Sequence, residues 1–184
     1  MSDGHAWLKR CGTGRLPILG EAAAILNPLR QLRWRPRVTI AYSLHQAPFE
    51  PALLHEVTQL ARSVFDEPTL ALEWRLASMP HATAVLARSR GRLVGFKLGY
   101  AMTESKYYSW LGGVHLSERG SGVARQLMRH QHRWLKERGC ALVETATDQG
   151  NVAMARVNLQ EGFTVCGSRS EPGRLQVLYL KRLA

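Results

Sequence analysis

The chain has 184 residues, of which 45% are apolar and 21% are charged, the proportions of an ordinary soluble domain rather than a disordered one. No apolar run approaches the roughly 20 residues that a membrane span requires. Cys11, Cys140 and Cys166 are odd in number and widely spaced, which argues against a disulfide framework and against a CxxC metal site. We therefore expect a cytoplasmic protein with reduced thiols, in which Cys140 and Cys166 fill the core beside strands.

The formal net charge is +11, and seven of the 25 Lys and Arg residues lie within the first 37 positions. That early stretch shows no sustained apolar period, whereas the remainder is long enough for one domain with a sizeable core. The sequence thus predicts a single domain over residues 37–184 and, over residues 1–36, a basic extension that is either poorly ordered or packed loosely on the domain. A basic body suits any polyanionic ligand, including a phosphate-rich cofactor, and does not single out nucleic acid.

Strand and helix patterns alternate through the first half of the domain. The β-branched run Arg37–Tyr42 predicts a strand, and apolar residues at three- and four-residue spacing over Leu54–Val64 predict a helix. A second helical piece follows over Leu70–Met79 and ends at a proline. Two apolar runs joined by a polar, glycine-bearing turn predict a hairpin over Ala82–Tyr100.

The next predicted strand, Tyr107–Leu116, carries Gly112 and Gly113 in its interior. Glycine inside a strand costs stability, and it commonly marks a bulge or a place where a ligand approaches the backbone. These two glycines therefore predict either a bulge or a close approach of a ligand.

An amphipathic helix is predicted over Val123–Arg138, ending at Gly139. Its two histidines, His130 and His132, are two positions apart and are expected at the surface. The residues predicted to be buried are Val123, Leu127, Gln131 or His130, Trp134 and Leu135. The remaining predicted elements are a strand over Ala141–Thr147, a helix over Val152–Gln160, and strands over Phe163–Cys166 and Gln176–Lys181. This order predicts a mixed α/β architecture with a partly antiparallel sheet.

A basic, glycine-bearing turn, Arg119–Gly122, connects the strand with the long helix. Backbone amides in such a turn, together with the positive end of the helix dipole, form a natural anion site. The turn is therefore the first candidate for holding a pyrophosphate group.

The motif RGSGVA, Arg119–Ala124, resembles the phosphate-binding signature of the GNAT family of acyl-CoA-dependent N-acyltransferases. That signature is Arg or Gln, two residues, Gly, one residue, then Gly or Ala, and Arg119, Gly122 and Ala124 match it. A second similarity is a helix that begins at Asn151 and ends at Gly162 and Phe163. The resemblance covers about residues 37–181.

The resemblance implies a single domain whose mixed, mostly antiparallel sheet is splayed between strands 4 and 5 and flanked by about four helices. It implies transfer of an acetyl group from acetyl-CoA to a primary amine by direct attack, with the amide of Val114 meeting the thioester oxygen. The residues that it assigns to the cofactor are Leu116, Arg119, Gly120, Ser121, Gly122, Val123, Ala124, Arg125 and Asn151. The expected partners are a small-molecule or peptide amine and, as an option, a second copy of the chain.

The sequence departs from the family pattern in its acid–base groups. The fourth strand has Ser109 and Trp110 where many members carry a carboxylate base. Asn158 stands where the family often has a tyrosine that protonates the departing sulfur, and we count Asn158 with Val114 as the catalytic candidates. Either Tyr107 or Tyr108 replaces that tyrosine, or the thiolate leaves unprotonated. The substitute bases are Glu73, Glu104, His115 and Asp148.

Two further functions stay open at this point. A non-catalytic module that binds or senses CoA would fit the missing acid and base, and a basic nucleic-acid-binding protein is the less favoured alternative. A metal enzyme is not indicated, because His55 and Glu56 begin an HExxH-like motif that fails at Gln59. The aromatic residues proposed for an acceptor pocket are Trp74, Tyr107, Tyr108 and Trp110.

Overall fold

The computed structural model describes residues 39–65 and 71–183, so the predictions for residues 1–36 lie outside the described residues. The strands and helices follow one another in the predicted order. They are β1 Ile40–Gln46, α1 Pro51–Val64, α2 Leu72–Ser78, β2 Ala82–Ser89, β3 Arg92–Ala101, β4 Lys106–Val114, α3 Val123–Glu137, β5 Leu142–Asp148, α4 Val152–Gln160, β6 Thr164–Glu171 and β7 Arg174–Arg182.

All seven strands form one sheet in the order β1-β2-β3-β4-β5-β7-β6. Every neighbouring pair is antiparallel except β4 and β5, which are parallel. The parallel pair is joined only where Lys106–Tyr108 meets Leu142–Glu144, although β5 pairs with β7 along its whole length. The carboxyl halves of β4 and β5 therefore separate, which confirms the predicted splay.

The β2–β3 hairpin forms the centre of the sheet. Its turn places Arg90 and Gly91 at φ 50° and 80°, the left-handed conformations that two-residue hairpin turns require. Both strands are buried along most of their length because helices cover both faces. On one face Phe96 and Leu98 pack with α1 and α2, and on the other Val94 packs with α3. The hairpin is thus the rigid support for β4.

The bulge predicted at Gly112 and Gly113 is wrong in position. These two glycines pair in register with β3, and the irregularity lies earlier, where Trp110 is the extra residue. The glycines are needed because side chains of β3 lie over them. A β-carbon on Gly113 would lie 3.0 Å from Phe96 Cε1, and one on Gly112 would lie 2.9 Å from Lys97 Cδ. A side chain at Gly113 would therefore crowd the Phe96 ring, and one at Gly112 would displace the Lys97 stem.

Several predicted boundaries and burials also require correction. β1 extends to Gln46 instead of ending at Tyr42, and the terminal hairpin of β6 and β7 is longer than either short apolar run indicated. Cys140 is buried as expected, whereas Cys166 is exposed, because β6 is an edge strand exposed along its length. Within α3, His132 was predicted at the surface but is buried. Met128 is also buried, although it was not predicted to be, and Trp134 is only half-buried.

Candidate active site at the β4–β5 gap

The inner edge of β4 presents free backbone toward the gap. The N–H of His115 donates to the carbonyl of Val94 at 2.8 Å, so the facing pair Gly95–Val114 is of the non-hydrogen-bonded type. In such a ladder Val114, and Gly112 two residues earlier, direct their N–H and C=O groups away from β3. Gly112 is exposed although it lies inside a seven-stranded sheet. The gap is therefore open to a ligand that pairs with β4.

Buried hydroxyl groups close the narrow end of the gap. The Thr145 hydroxyl on β5 donates to the carbonyl of Ser109 on β4 at 2.8 Å. The Ser109 hydroxyl in turn donates to Gln131 Oε1 on α3 at 2.6 Å. All three side chains are buried. A chain that enters along Val114 and Gly112 thus ends just before Ser109.

The wide end of the gap is bordered by the loop between β4 and α3. Gly120 and Gly122 adopt φ of 77° and 88°, and a β-carbon on either would meet no atom within 4 Å. α3 begins after Gly122 without a side-chain cap and without an acidic residue in its first turn. The amides of that turn have no partner within the helix, and they combine with the helix dipole to favour an anion.

The two arginines of this loop differ in their contacts. The Arg119 guanidinium is exposed and donates through Nε to the carbonyl of Val114 at 3.3 Å. The Arg125 side chain instead reaches the end of α4, where it donates to Gln160 at 2.5 Å and pairs with Glu161 at 3.0 Å. Arg119 thus lies at the mouth of the gap, whereas the guanidinium of Arg125 joins α3 to α4. The backbone amide of Arg125 remains in the first turn of α3.

The two asparagines of α4 occupy different environments. Asn151 caps the helix, because its Oδ1 accepts from the N–H of Met154 at 3.1 Å. Asn158 is fully buried and donates from Nδ2 to the hydroxyl of Thr147 on β5 at 3.0 Å. Its Oδ1 has no hydrogen-bond partner among the described residues. Asn158 therefore contributes an unused acceptor beside β5 and no acid.

The four residues named as substitute bases lie in four different parts of the fold. Those proposed were Glu73 on α2, Glu104 between β3 and β4, His115 after β4, and Asp148 at the end of β5. The His115 ring is engaged by Ser117, whose N–H donates to Nδ1 at 3.2 Å. Hydrogen bonds from Arg174, followed by those from Gln176, hold the pKa of Asp148 below its usual value. A carboxylate held in its charged form in this way is a weak base.

The candidate tyrosines lie on opposite faces of the sheet. The ring of Tyr107 lies over Gly99, and its hydroxyl hydrogen-bonds Thr83 on β2, away from the gap. Tyr108 instead packs against Tyr100 on the other face, with ring centroids 5.5 Å apart. Neither tyrosine therefore takes the place of an acid on the α4 side of the gap.

An aromatic patch covers the face of β4 opposite α3. Tyr100 contacts both Tyr108 and Trp110, and the Arg75 guanidinium lies 4.7 Å from the centroid of the Trp110 ring. Trp74, also proposed for the acceptor pocket, is 71% exposed. The patch lies beside the bulge at Trp110, next to the narrow end of the gap.

Sequence reasoning missed Lys97, a buried lysine on β3 whose stem lies over Gly112. The sequence did carry a signal, because Lys97 is a single charge inside the otherwise apolar run of β3. Lysine is almost never buried unless it is paired, so a lysine at such a position is unusual. Burial lowers the pKa of its ammonium to about 8.

Other features of the described residues lie away from the gap. A cavity of about 260 Å³ is lined by residues from the amino end of β4 and the carboxyl end of α3, including Glu104, Trp134 and Arg138. No cluster of His, Cys, Asp or Glu among residues 39–65 and 71–183 is suited to a metal ion. Nor does any helix in these ranges combine the length and apolarity needed to cross a bilayer.

The class of protein follows from this geometry and from comparison with known proteins. Residues 41–163 match the model of the acetyltransferase (GNAT) family, and the chain belongs to that family. Among curated proteins, none matches the chain by sequence.

Solved structures of acetyltransferases share the fold. The ribosomal-protein-S18-alanine N-acetyltransferase from Escherichia coli has a TM-score of 0.68 at 13% identity, over 78% of this chain and 95% of that one. The aminoglycoside 6'-N-acetyltransferase from Enterococcus faecium has a TM-score of 0.66 at 15% identity, over 78% and 97%. A GNAT family acetyltransferase from Elizabethkingia anophelis, with acetyl-CoA bound, has a TM-score of 0.59 at 13% identity, over 78% and 97%.

Proposed function

We propose that the protein is an acyl-CoA-dependent N-acyltransferase that transfers an acetyl group from acetyl-CoA to a primary amine. The observation that carries this proposal is the opened edge of β4, where Gly112 and Val114 turn their backbone polar groups into the gap. An extended, amide-bearing chain pairs with such an edge as an additional strand. Acetyl-CoA would supply such a chain together with an activated thioester.

The loop before α3 suits the phosphate end of this donor. Free amides of the first helical turn and the exposed Arg119 face an open space over Gly120 and Gly122. Phosphate oxygens accept hydrogen bonds from such amides, and the helix dipole adds to the attraction. Leu116, Ser121, Val123, Ala124 and the amide of Arg125 belong to the same segment, and Asn151 caps the neighbouring helix.

The backbone of β4 also suits the acyl end. When an amine attacks a thioester, negative charge develops on the carbonyl oxygen, and a fixed N–H donor stabilises that charge in a site with little water. The amide of Val114, and that of Gly112 closer to the narrow end, point into the gap and are the candidate donors. The amine would approach from the aromatic patch of Tyr100, Tyr108 and Trp110.

Calorimetric titration with acetyl-CoA tests the binding half of the proposal. Gly122→Trp fills the space over the loop, and we expect it to weaken binding at least tenfold. Gly91→Trp is the matched control, because Gly91 also has a left-handed φ, at 80°, and open space around it, but lies in the β2–β3 turn. Unchanged affinity in Gly122→Trp, or equal loss in both variants, would contradict this assignment of the loop.

Release of free thiol in the presence of a panel of primary amines tests the transfer half. We expect steady release above the rate of thioester hydrolysis with at least one amine. Binding of acetyl-CoA without release for any amine would instead favour a non-catalytic CoA-binding module, which is the alternative suggested by the absence of an evident base.

A further inference from the structure

Lys97 lies beside Gly112, in the part of β4 that no longer pairs with β5. Its stem leans from β3 across β4, and a β-carbon on Gly112 would lie 2.9 Å from Lys97 Cδ and 3.7 Å from Nζ. Gly112 itself is exposed in the gap. The ammonium is therefore carried over an open residue of β4, on the face that α3 covers.

The ammonium of Lys97 is buried without a counter-ion. The side chain is only 7% exposed, and among the described residues no carboxylate pairs with it and no hydrogen bond involves its Nζ. The groups that face it from α3 and β7 do not compensate its charge, because Lys181 is itself cationic and His132 is uncharged. Burial, followed by the charges of Lys181 and Lys97, lowers the pKa of His132 to about 3. A buried cation of this kind is costly unless an anion reaches it.

The hydroxyl groups that close the gap donate their hydrogens to other protein atoms. The hydroxyl of Ser109 donates to Gln131, and that of Thr145 donates to the Ser109 carbonyl. Asn158 donates one of its two amide hydrogens to Thr147, and an amide donates hydrogen bonds but does not deliver a proton. Compared with these hydroxyl and amide groups, Lys97 is the side chain with an ionisable proton.

We propose that Lys97 is a catalytic acid that protonates the sulfur leaving from the acyl donor. This inference rests on the proposed transferase function. The amine nitrogen forms a bond to the thioester carbon, the carbon–sulfur bond breaks, and its electron pair remains on sulfur. Sulfur takes a proton from Lys97 Nζ, the new amide nitrogen releases one proton to solvent, and Lys97 regains one from solvent. The sum is thioester plus amine giving amide plus thiol.

The substitution Lys97→Met tests this role, because methionine keeps the stem and removes the proton. We expect kcat to fall by about 10²–10⁴-fold, the usual contribution of acid catalysis, with the Kd for acetyl-CoA unchanged. An acid must be protonated to act, so the decline of kcat as pH rises through about 8 should be absent from the variant. Lys136→Met, on the exposed surface of α3, is the matched control and should behave as the wild type.

Lys97→Arg separates proton transfer from charge alone, because the guanidinium stays protonated at all accessible pH values. Low kcat in this variant supports the proposal. Full activity in Lys97→Arg would overturn it in favour of a purely electrostatic role. The proposal would also be overturned if Lys97→Met lost activity only with acyl donors that carry a terminal carboxylate. In that case Lys97 would bind the acyl group.

A readout without turnover separates failure of this inference from failure of the proposed function. The ultraviolet absorbance of thiolate reports the ionisation of CoA bound to the protein. We expect the pKa of the bound thiol to rise by at least one unit in Lys97→Met, because its cationic neighbour is lost. An unchanged thiol pKa would overturn the placement of Lys97 beside sulfur, even if no acceptor amine had been found.

Discussion

The directions of two side chains near the gap follow from the glycines opposite them. Lys97 leans across β4 because Gly112 leaves room for its stem, and Tyr107 leans across β3 because Gly99 leaves room for its ring. The two side chains point in opposite directions from the β3–β4 ladder, one toward the gap and one toward β2. These glycines are therefore required by packing, and their φ values play no part in it.

The buried charge of Lys97 predicts a pH-dependent stability. Below about pH 8 both the folded and the unfolded states carry the charge, so the folded state bears the full cost of burying it. The displacement of the pKa from 10.5 to about 8 corresponds to about 3 kcal/mol. Because the unfolded state binds the proton more tightly, wild-type stability rises between about pH 8 and 10.5 as the folded lysine loses its proton.

Urea unfolding of Lys97→Met across this pH range checks that expectation. The variant should be more stable than the wild type near pH 7, by up to about 3 kcal/mol, and the difference should narrow toward pH 10.5. Lys136→Met, at an exposed position, should show no such trend. A variant that is less stable than the wild type at pH 7 would indicate that Lys97 has a structural partner.

At the scale of elements, β4 combines two kinds of pairing. Its whole length is held by β3, whereas only its first three residues are held by β5. The bulge at Trp110 occurs where this change takes place, and it lets Trp110 and Leu111 both pack toward α1 and α2. The position of β4 at the gap thus depends on how closely β3 and β4 approach.

Gly99→Ala tests that approach. An added β-carbon would lie 2.4 Å from Tyr107 Cε1 and 2.6 Å from the carbonyl oxygen of Tyr108. A backbone atom cannot move aside easily, so we expect the free energy of unfolding to fall by about 2–3 kcal/mol through overpacking. Gly167→Ala is the control on the edge strand β6, where the nearest side-chain atom would be 3.8 Å away, and it should change stability by less than about 0.5 kcal/mol.

At the scale of the whole molecule, the sheet is continuous from β1 to β4 and from β5 through β7 to β6. Between β4 and β5 it is open beyond their first three paired residues. A donor that fills the opening binds the folded state alone and stabilises it by mass action, by about 2.7 kcal/mol at 100 times Kd. For a chain of this size that amounts to a rise in Tm of roughly 5–10 °C. Differential scanning fluorimetry with acetyl-CoA measures the rise.

Hydrogen exchange locates the source of this stabilisation. If the donor pairs with β4, the amides of Gly112 and Val114 should exchange more slowly when it is bound, and those of β1 should not change. A rise in Tm with unaltered exchange in β4 would mean that the ligand binds elsewhere, for example in the cavity at the opposite end of α3.

Much of the fold could be predicted because periodicity and turn residues are local signals. The hairpin of β2 and β3, the amphipathic α3 and the capped α4 lie close to their predicted positions. The bulge and His132 could not be predicted in this way. The extra residue Trp110 depends on the register in which β4 pairs with β3, and the burial of His132 depends on Phe163 and Lys181, which lie far along the chain.

The loop Arg119–Ala124 and the candidate acid Lys97 also differ in whether local sequence is enough to identify them. Arg119–Ala124 is contiguous, and the conformations of Gly120 and Gly122 are local properties, so the sequence alone identified the loop and the family. The candidate acid on β3 has surroundings that come from β4, α3 and β5, and these elements meet only in the folded sheet. Lys97 gains its chemistry from burial beside Gly112, and burial is a property of the assembled fold rather than of any stretch of chain.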